Sequence, residues 1–170
     1  MTYTKLKEFS VVYTDRSLNH MSDEFVDVVR DISRLIKTAY NAESAVIVPG
    51  SGTFGMESVA RQFANNARVM IIRNGWFSYR WTQIFDMAKI TDDITVVNAE
   101  QIVDQYQAQY RPADIEQVVA AIRQNRPAVV FAPHVETSAG MILPDNYLDQ
   151  VGRACTCLLY TSDAADIYSV

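Results

Sequence analysis

The chain has 170 residues, a length that suits one domain, and 49% of them are apolar, enough for a sizeable core. Its 20 acidic residues against 15 basic ones give a formal net charge of -5 with no basic run, which argues against nucleic acid as a partner, and no apolar stretch approaches the roughly 20 residues of a membrane span. The opening MTYTKLKEFS lacks a secretory apolar core, Cys155 and Cys157 are too close to staple a domain, and the two histidines form no Cys/His cluster, so the expectation is a cytoplasmic protein without a structural metal site.

Residues 22–40, SDEFVDVVRDISRLIKTAY, predict an amphipathic helix. Phe25, Val28, Val29, Ile32, Leu35, Ile36 and Tyr40 share one face, Ser22 can cap the start, and Asp23 and Glu24 suit its positive end. Ser44–Pro49 then predicts a short strand, and Phe54–Asn65 a helix with Met56, Val59, Ala60 and Phe63 at helical spacing. Arg68–Arg73 predicts a second strand, Trp76–Lys89 a helix, and Ile94–Asn98 a third strand. The polar stretch Ala99–Arg111 reads as a loop or surface insertion. Pro112–Asn125 predicts a helix with Pro112 in its first turn and Ile115, Val118, Val119 and Ile122 on one face. Ala128–Ala132 is an apolar strand, and Pro144 opens a short helix over Asp145–Ala154. Strands apolar on both faces, separated by helices, predict an α/β fold: three layers, a mostly parallel sheet with helices on both faces, preceded by the N-terminal helix.

Ligands of such sheets bind beyond the carboxyl ends of the strands. Three stretches fall there: Gly50-Ser-Gly-Thr53, Asn74-Gly-Trp-Phe77 and His134-Val-Glu-Thr-Ser-Ala-Gly140. The first reads either as an ordinary tight turn with a Thr cap or as a phosphate cradle, in which turn and helix N–H groups join the Ser51 and Thr53 hydroxyls. It is not a P-loop, because no Gly-Lys-Ser/Thr follows. Gly50, Gly52 and Gly55 match dinucleotide spacing, but they open the second helix, and the acidic residue expected about 20 positions on is absent. In the second stretch Trp76 and Phe77 are either core aromatics or a flat partner for a planar ring. In the third, His134 and Glu136 read as supports, and Thr137 and Ser138 offer hydroxyls.

In order and spacing, the segments Gly50-Ser-Gly-Thr-Phe-Gly-Met-Glu57, Asn74-Gly-Trp-Phe-Ser-Tyr-Arg80 and His134-Val-Glu-Thr-Ser-Ala-Gly140 resemble the class V aminotransferases. These are pyridoxal-phosphate enzymes of fold type I, and the likeness is to their alanine–glyoxylate/serine–pyruvate group over residues 13–154. The resemblance implies that Ser51, Gly52 and Thr53 hold the phosphate of pyridoxal 5'-phosphate. Phe77 would stack on the pyridine ring, with Trp76 one position off, and Thr137 would bind near the ring hydroxyl or the substrate. It further implies a homodimer that moves an amino group between a small amino acid and a 2-oxo acid such as glyoxylate or pyruvate.

Two departures qualify it. The family's aspartate and Schiff-base lysine follow the position of Ala154, whereas the lysines here are Lys5, Lys7, Lys37 and Lys89, none in a matching context. No catalytic residue is therefore assigned, and the chain alone is expected to be inactive. Residues 157–166, CLLYTSDAAD, resemble an in-frame translation of a sequencing adapter. The expected organisation is an N-terminal arm and the first part of the cofactor domain over 1–154, with a non-native tail over 155–170, in a fragment that exposes sheet edges. The alternatives are a cysteine desulfurase or lyase of the same fold, and a non-catalytic phosphate- or nucleotide-binding domain.

Overall fold

The unbroken apolar run Val69–Ile72 sets the architecture. In a computed structural model, which describes residues 20–156, this segment lies in β1 (Val69–Arg73), and Val69, Met70, Ile71 and Ile72 are all fully buried. Side chains of a strand point alternately to opposite faces, so a strand buried along its length needs cover on both. Two separate clusters provide it. Val69 and Ile71 pack with Ala60 and Ala64, with Trp81, Ile84 and Phe85, and with Phe131. Met70 and Ile72 pack with Val97, Val118 and Ile122, and with Leu143, Tyr147 and Val151.

The chain falls into two units that divide between Val48 and Pro49. In the first, α1 (Asp23–Tyr40) starts as expected, with the Ser22 hydroxyl accepting from the Phe25 N–H at 3.2 Å. It ends on Asn41 in the left-handed region, φ 49°. None of its residues is buried, although its apolar stripe is present.

The second unit begins with α2 (Gly52–Phe63) and continues through β1, α3 (Trp76–Ala88), β2 (Ile94–Asn98) and a small antiparallel pair, β3 (Glu100–Gln101) with β4 (Tyr110–Arg111). Then come α4 (Ile115–Asn125), β5 (Val129–Phe131), a second antiparallel pair, β6 (Val135–Glu136) with β7 (Met141–Ile142), and α5 (Asp145–Thr156). A 3-10 turn, Thr137–Ala139, joins β6 to β7. The main sheet has the order β2-β1-β5 and is parallel throughout, with Val69 opposite both Ile94 and Val129. Helices α2 and α3 cover one face, α4 and α5 the other. The three-layer α/β arrangement is therefore the one expected.

Arg68 closes the amino edge of the sheet, donating to Asp93 at 2.9 Å and to the Asn125 carbonyl at 2.8 Å. On the α4–α5 face the Tyr147 hydroxyl donates to the Ala113 carbonyl at 2.8 Å. Burial first, then the charges of Asp114 and Glu100, push its pKa up to about 12, so it stays a donor at any physiological pH.

Three expectations are corrected. Ser44–Pro49 is not a strand: none of the described residues pairs with it, and Val46, Ile47 and Val48 are exposed. β-Branched residues favour a strand only where a neighbouring edge receives its N–H and C=O groups. Pro112 does not enter α4, because the Asp114 side chain caps the helix later, accepting from the Glu116 N–H at 2.8 Å. The stretch Ala99–Arg111 carries the β3–β4 pair, held by Arg111 on Glu100 at 2.9 Å. In addition, α5 runs on to Thr156, which makes Cys155 a helical residue packed against the core, its thiol pKa raised by burial. Cys157 and the rest of the expected tail lie outside the described residues.

Phe85 is fully buried and meets Phe131 edge-on, centroids 5.4 Å apart, while Trp81 lies 4.3 Å from the same ring. Phe85→Ala is expected to lower unfolding free energy by about 3–5 kcal/mol, read as a shifted urea midpoint in tryptophan fluorescence. A shift equivalent to under about 1 kcal/mol would mean that this cluster does not hold α3 to the sheet.

Candidate functional site

The chain leaves β1 through Asn74-Gly75 and turns at once into α3, whose first N–H groups face the 3-10 turn after β6. Glu136 lies in that gap. Its carboxylate accepts from the Phe77 N–H at 3.0 Å on Oε1, and from the Ser78 N–H at 2.8 Å and the Ser78 hydroxyl at 2.6 Å on Oε2. The Ser138 hydroxyl also donates to Oε1, and Ser138 Oγ accepts the Trp76 N–H at 2.8 Å. Ser78 Oγ in turn accepts from the N–H groups of Asn74 and Gly75, at 2.8 and 3.0 Å. The first three N–H groups of α3 are thus all taken by protein oxygens.

This contact also explains Gly75. Its φ is 176°, extended backbone that any residue adopts. Space is what matters: a Cβ there would stand 2.6 Å from Ser138 Oγ and 2.7 Å from Glu136 Cγ. Glu136 itself is 1% exposed. Burial alone would raise its pKa, but the hydroxyls of Ser138 and Ser78 and the N–H groups of Ser78 and Phe77 together hold it below the ordinary carboxylate value. A charged carboxylate at the positive end of a helix is the favourable arrangement.

The N-terminus of α2 differs. Gly50 turns the chain with φ +140°, and Ser51 occupies the cap position, but its hydroxyl caps nothing. The Phe54 N–H returns to the Ser51 carbonyl at 2.9 Å. The N–H groups of Gly52 and Thr53, in the first turn, have no intrahelical acceptor. A Cβ at Gly52 would meet nothing within 4 Å, so that end is open.

Arg80, one turn into α3, connects the two helix starts. Its Nη1 donates to Thr53 Oγ1 at 2.6 Å, and its guanidinium carbon lies 5.7 Å from the Phe77 ring centroid. No carboxylate pairs with it among the described residues. Phe77 and Trp76 are both partly exposed, at 44% and 57%, with Trp76 5.7 Å from Tyr79. Asn74 is 4% exposed, yet neither polar atom of its side-chain amide has a partner among the described residues.

Of the residues singled out from the sequence, Ser51, Gly52 and Thr53 form one helix-opening turn, and Arg80 ties that turn to Phe77. Thr137 is exposed in the 3-10 turn, and its neighbours Glu136 and Ser138 dock on α3. No hydrogen bond joins Thr137 to Thr53. His134 contributes its carbonyl, accepting the Leu143 N–H at 2.9 Å, and its side chain is exposed. Sequence reasoning gave no role to Arg80, Ser78 or Asn74. The signal for Arg80 was present as the last residue of Asn74-Gly-Trp-Phe-Ser-Tyr-Arg80. Among the described residues no group of three or more His, Cys, Asp or Glu side chains is arranged to hold a metal ion, and no helix is long and apolar enough to cross a membrane.

The fold has counterparts among solved structures. The ureidoglycine–glyoxylate aminotransferase of Bacillus subtilis superposes with a TM-score of 0.69 at 20% identity, over 84% of this chain and 34% of that one. The alanine–glyoxylate aminotransferase of Nostoc sp. superposes with a TM-score of 0.65 at 22% identity, over 84% and 35%. The chain therefore has the fold of these aminotransferases over about a third of their length. Among curated proteins it is 25% identical to mouse alanine–glyoxylate aminotransferase over 161 residues, 91% of this chain and 36% of that protein. It is also 28% identical to the small subunit of a soluble hydrogenase of a Synechococcus species over 138 residues, 80% and 33%. The chain thus spans about a third of the length of the curated relatives it matches. No protein-family model matches it.

Glu136 supplies stability that is complete above the ordinary glutamate pKa and is lost as pH falls through its lowered folded-state value. Glu136→Gln puts an amide N–H2 against N–H and O–H donors, and should cost about 1–3 kcal/mol at neutral pH. The gap between the parent and this variant should shrink as pH falls through that window, in urea melts repeated from pH 7 downward. A gap independent of pH would show that the carboxylate charge contributes nothing.

Proposed function

We propose that this chain is the phosphate-holding N-terminal part of a pyridoxal-phosphate transaminase that moves an amino group between a small amino acid and a 2-oxo acid such as glyoxylate or pyruvate. The observation that carries this reading is the contrast between two adjacent helix starts: Glu136 fills that of α3, and that of α2 is left open beside Arg80, with which no carboxylate among the described residues pairs. An open helix N-terminus with a nearby cation suits a dianionic phosphate.

The residues present fit the cofactor. Gly52 and Thr53 offer N–H groups, Ser51 and Thr53 offer hydroxyls, and the bare Gly52 lets an anion approach the backbone. Phe77 supplies a partly exposed ring for a flat heterocycle, with Trp76 as its neighbour. Thr137 places a hydroxyl on the turn beside Glu136, and the unspent Asn74 amide adds hydrogen-bonding capacity at the carboxyl end of β1. Pyridoxal phosphate, when bound, supplies the electron sink that amino-group transfer requires. The chain's own part is to hold the phosphate, present a flat surface and orient the ring.

Covalent attachment is not part of that share. Lys89 caps the far end of α3, a helix of 13 residues, about 20 Å from its start. In this reading the Schiff-base lysine belongs to the part of the enzyme represented by the remaining two thirds of the relatives. The 170 residues then bind cofactor without turning over. The homodimer and the cytoplasmic setting implied by the resemblance belong to the same proposal.

Titration of the full chain with pyridoxal phosphate, pyridoxal and ATP, followed by tryptophan fluorescence and thermal shift, tests it. Pyridoxal phosphate should bind best, raise the melting temperature and leave no covalent adduct after borohydride at Lys37 or Lys89. Preference for ATP would overturn the reading in favour of a nucleotide-binding domain.

A further inference from the structure

The hydrogen bond between Arg80 and Thr53 has a direction. A guanidinium only donates, and a threonine hydroxyl has one proton and two lone pairs. The 2.6 Å contact therefore uses a lone pair of Thr53 Oγ1 and turns its proton away from Arg80. None of the described residues accepts that proton. It sits at the start of α2, beside the N–H groups of Gly52 and Thr53, which have no acceptor among the described residues.

The charge balance is equally one-sided. Arg80 brings a cation to the positive end of a helix, where cations are disfavoured. Glu57, which lines the same cleft, is occupied by Arg61 at 2.7 Å. On its other side Arg80 rests on Phe77, which holds the planar fork in place.

We infer that Arg80 is a positioning residue that fixes the Thr53 hydroxyl as a donor to a phosphate at the α2 N-terminus, and so selects phosphorylated over unphosphorylated ligands. The inference rests on the cofactor reading above and adds a residue and a selectivity to it. The guanidinium acts through Thr53, and its charge makes that hydroxyl a stronger donor.

Binding of pyridoxal phosphate and of pyridoxal to the full chain, compared for the parent, Arg80→Met, Arg80→Lys, Thr53→Val and the Arg80→Met/Thr53→Val pair, tests this. Arg80→Met should weaken pyridoxal phosphate binding about tenfold or more and pyridoxal binding by much less. In the Thr53→Val background the same change should have little further effect, because coupled residues are non-additive. Arg80→Lys should recover part of the loss, and it replaces Arg80→Met in the comparison if the latter does not give a cooperative urea transition. Equal losses for both ligands, or full additivity with Thr53→Val, would overturn the inference. Unchanged affinity in Arg80→Met with normal binding by the parent would overturn it while the cofactor reading stands. No binding of pyridoxal phosphate by the parent would overturn both.

Discussion

A single carboxylate determines how the carboxyl edge of this sheet is built. Glu136 is buried, accepts from two backbone N–H groups and two serine hydroxyls, and neutralises the start of α3. Burying a charge without partners is costly, and here each oxygen has two. The cost is offset only if the 3-10 turn, the end of β1 and the first turn of α3 hold one geometry. Gly75 is the steric condition for that, since no Cβ fits between the helix start and the glutamate.

The consequence reaches the neighbouring helix. Once α3 is rigidly capped, Arg80 is carried to Thr53 and Phe77 is held beneath the guanidinium. One helix dipole is then satisfied internally and its neighbour is left unsatisfied, with a cation added. Such a combination favours an anion at that helix start. That asymmetry is what the proposed phosphate site rests on, more than on the short glycine motif.

Much of the fold was legible from periodicity. The run Arg68–Arg73 predicted a strand, observed one residue shorter as Val69–Arg73, and Ile94–Asn98 was found with its observed limits. Ser22 identified itself as a cap through the acidic turn behind it. The failures were of one kind. Ser44–Pro49 has strand composition and no strand partner, Pro112 yielded to a better cap two residues on, and Ala99–Arg111 paired with itself through only two residues on each side. Each depended on a contact that local sequence does not carry.

The same boundary runs through the site. The sequence by itself determined the chemical inventory at the strand ends: small residues and hydroxyls at 50–53, aromatics at 76–77, a glutamate among hydroxyls at 136–138. It also determined that these would lie at one edge, because a parallel sheet collects the turns that follow its strands. Which helix start would be filled and which left open was decided by tertiary structure alone. Glu136 and Ser78 are 58 residues apart, and Arg80 and Thr53 are 27 apart. Hydrogen bonds over such separations exist only after both faces of β1 have been covered, because burial in the two clusters, not any local preference, brings those donors and acceptors within reach.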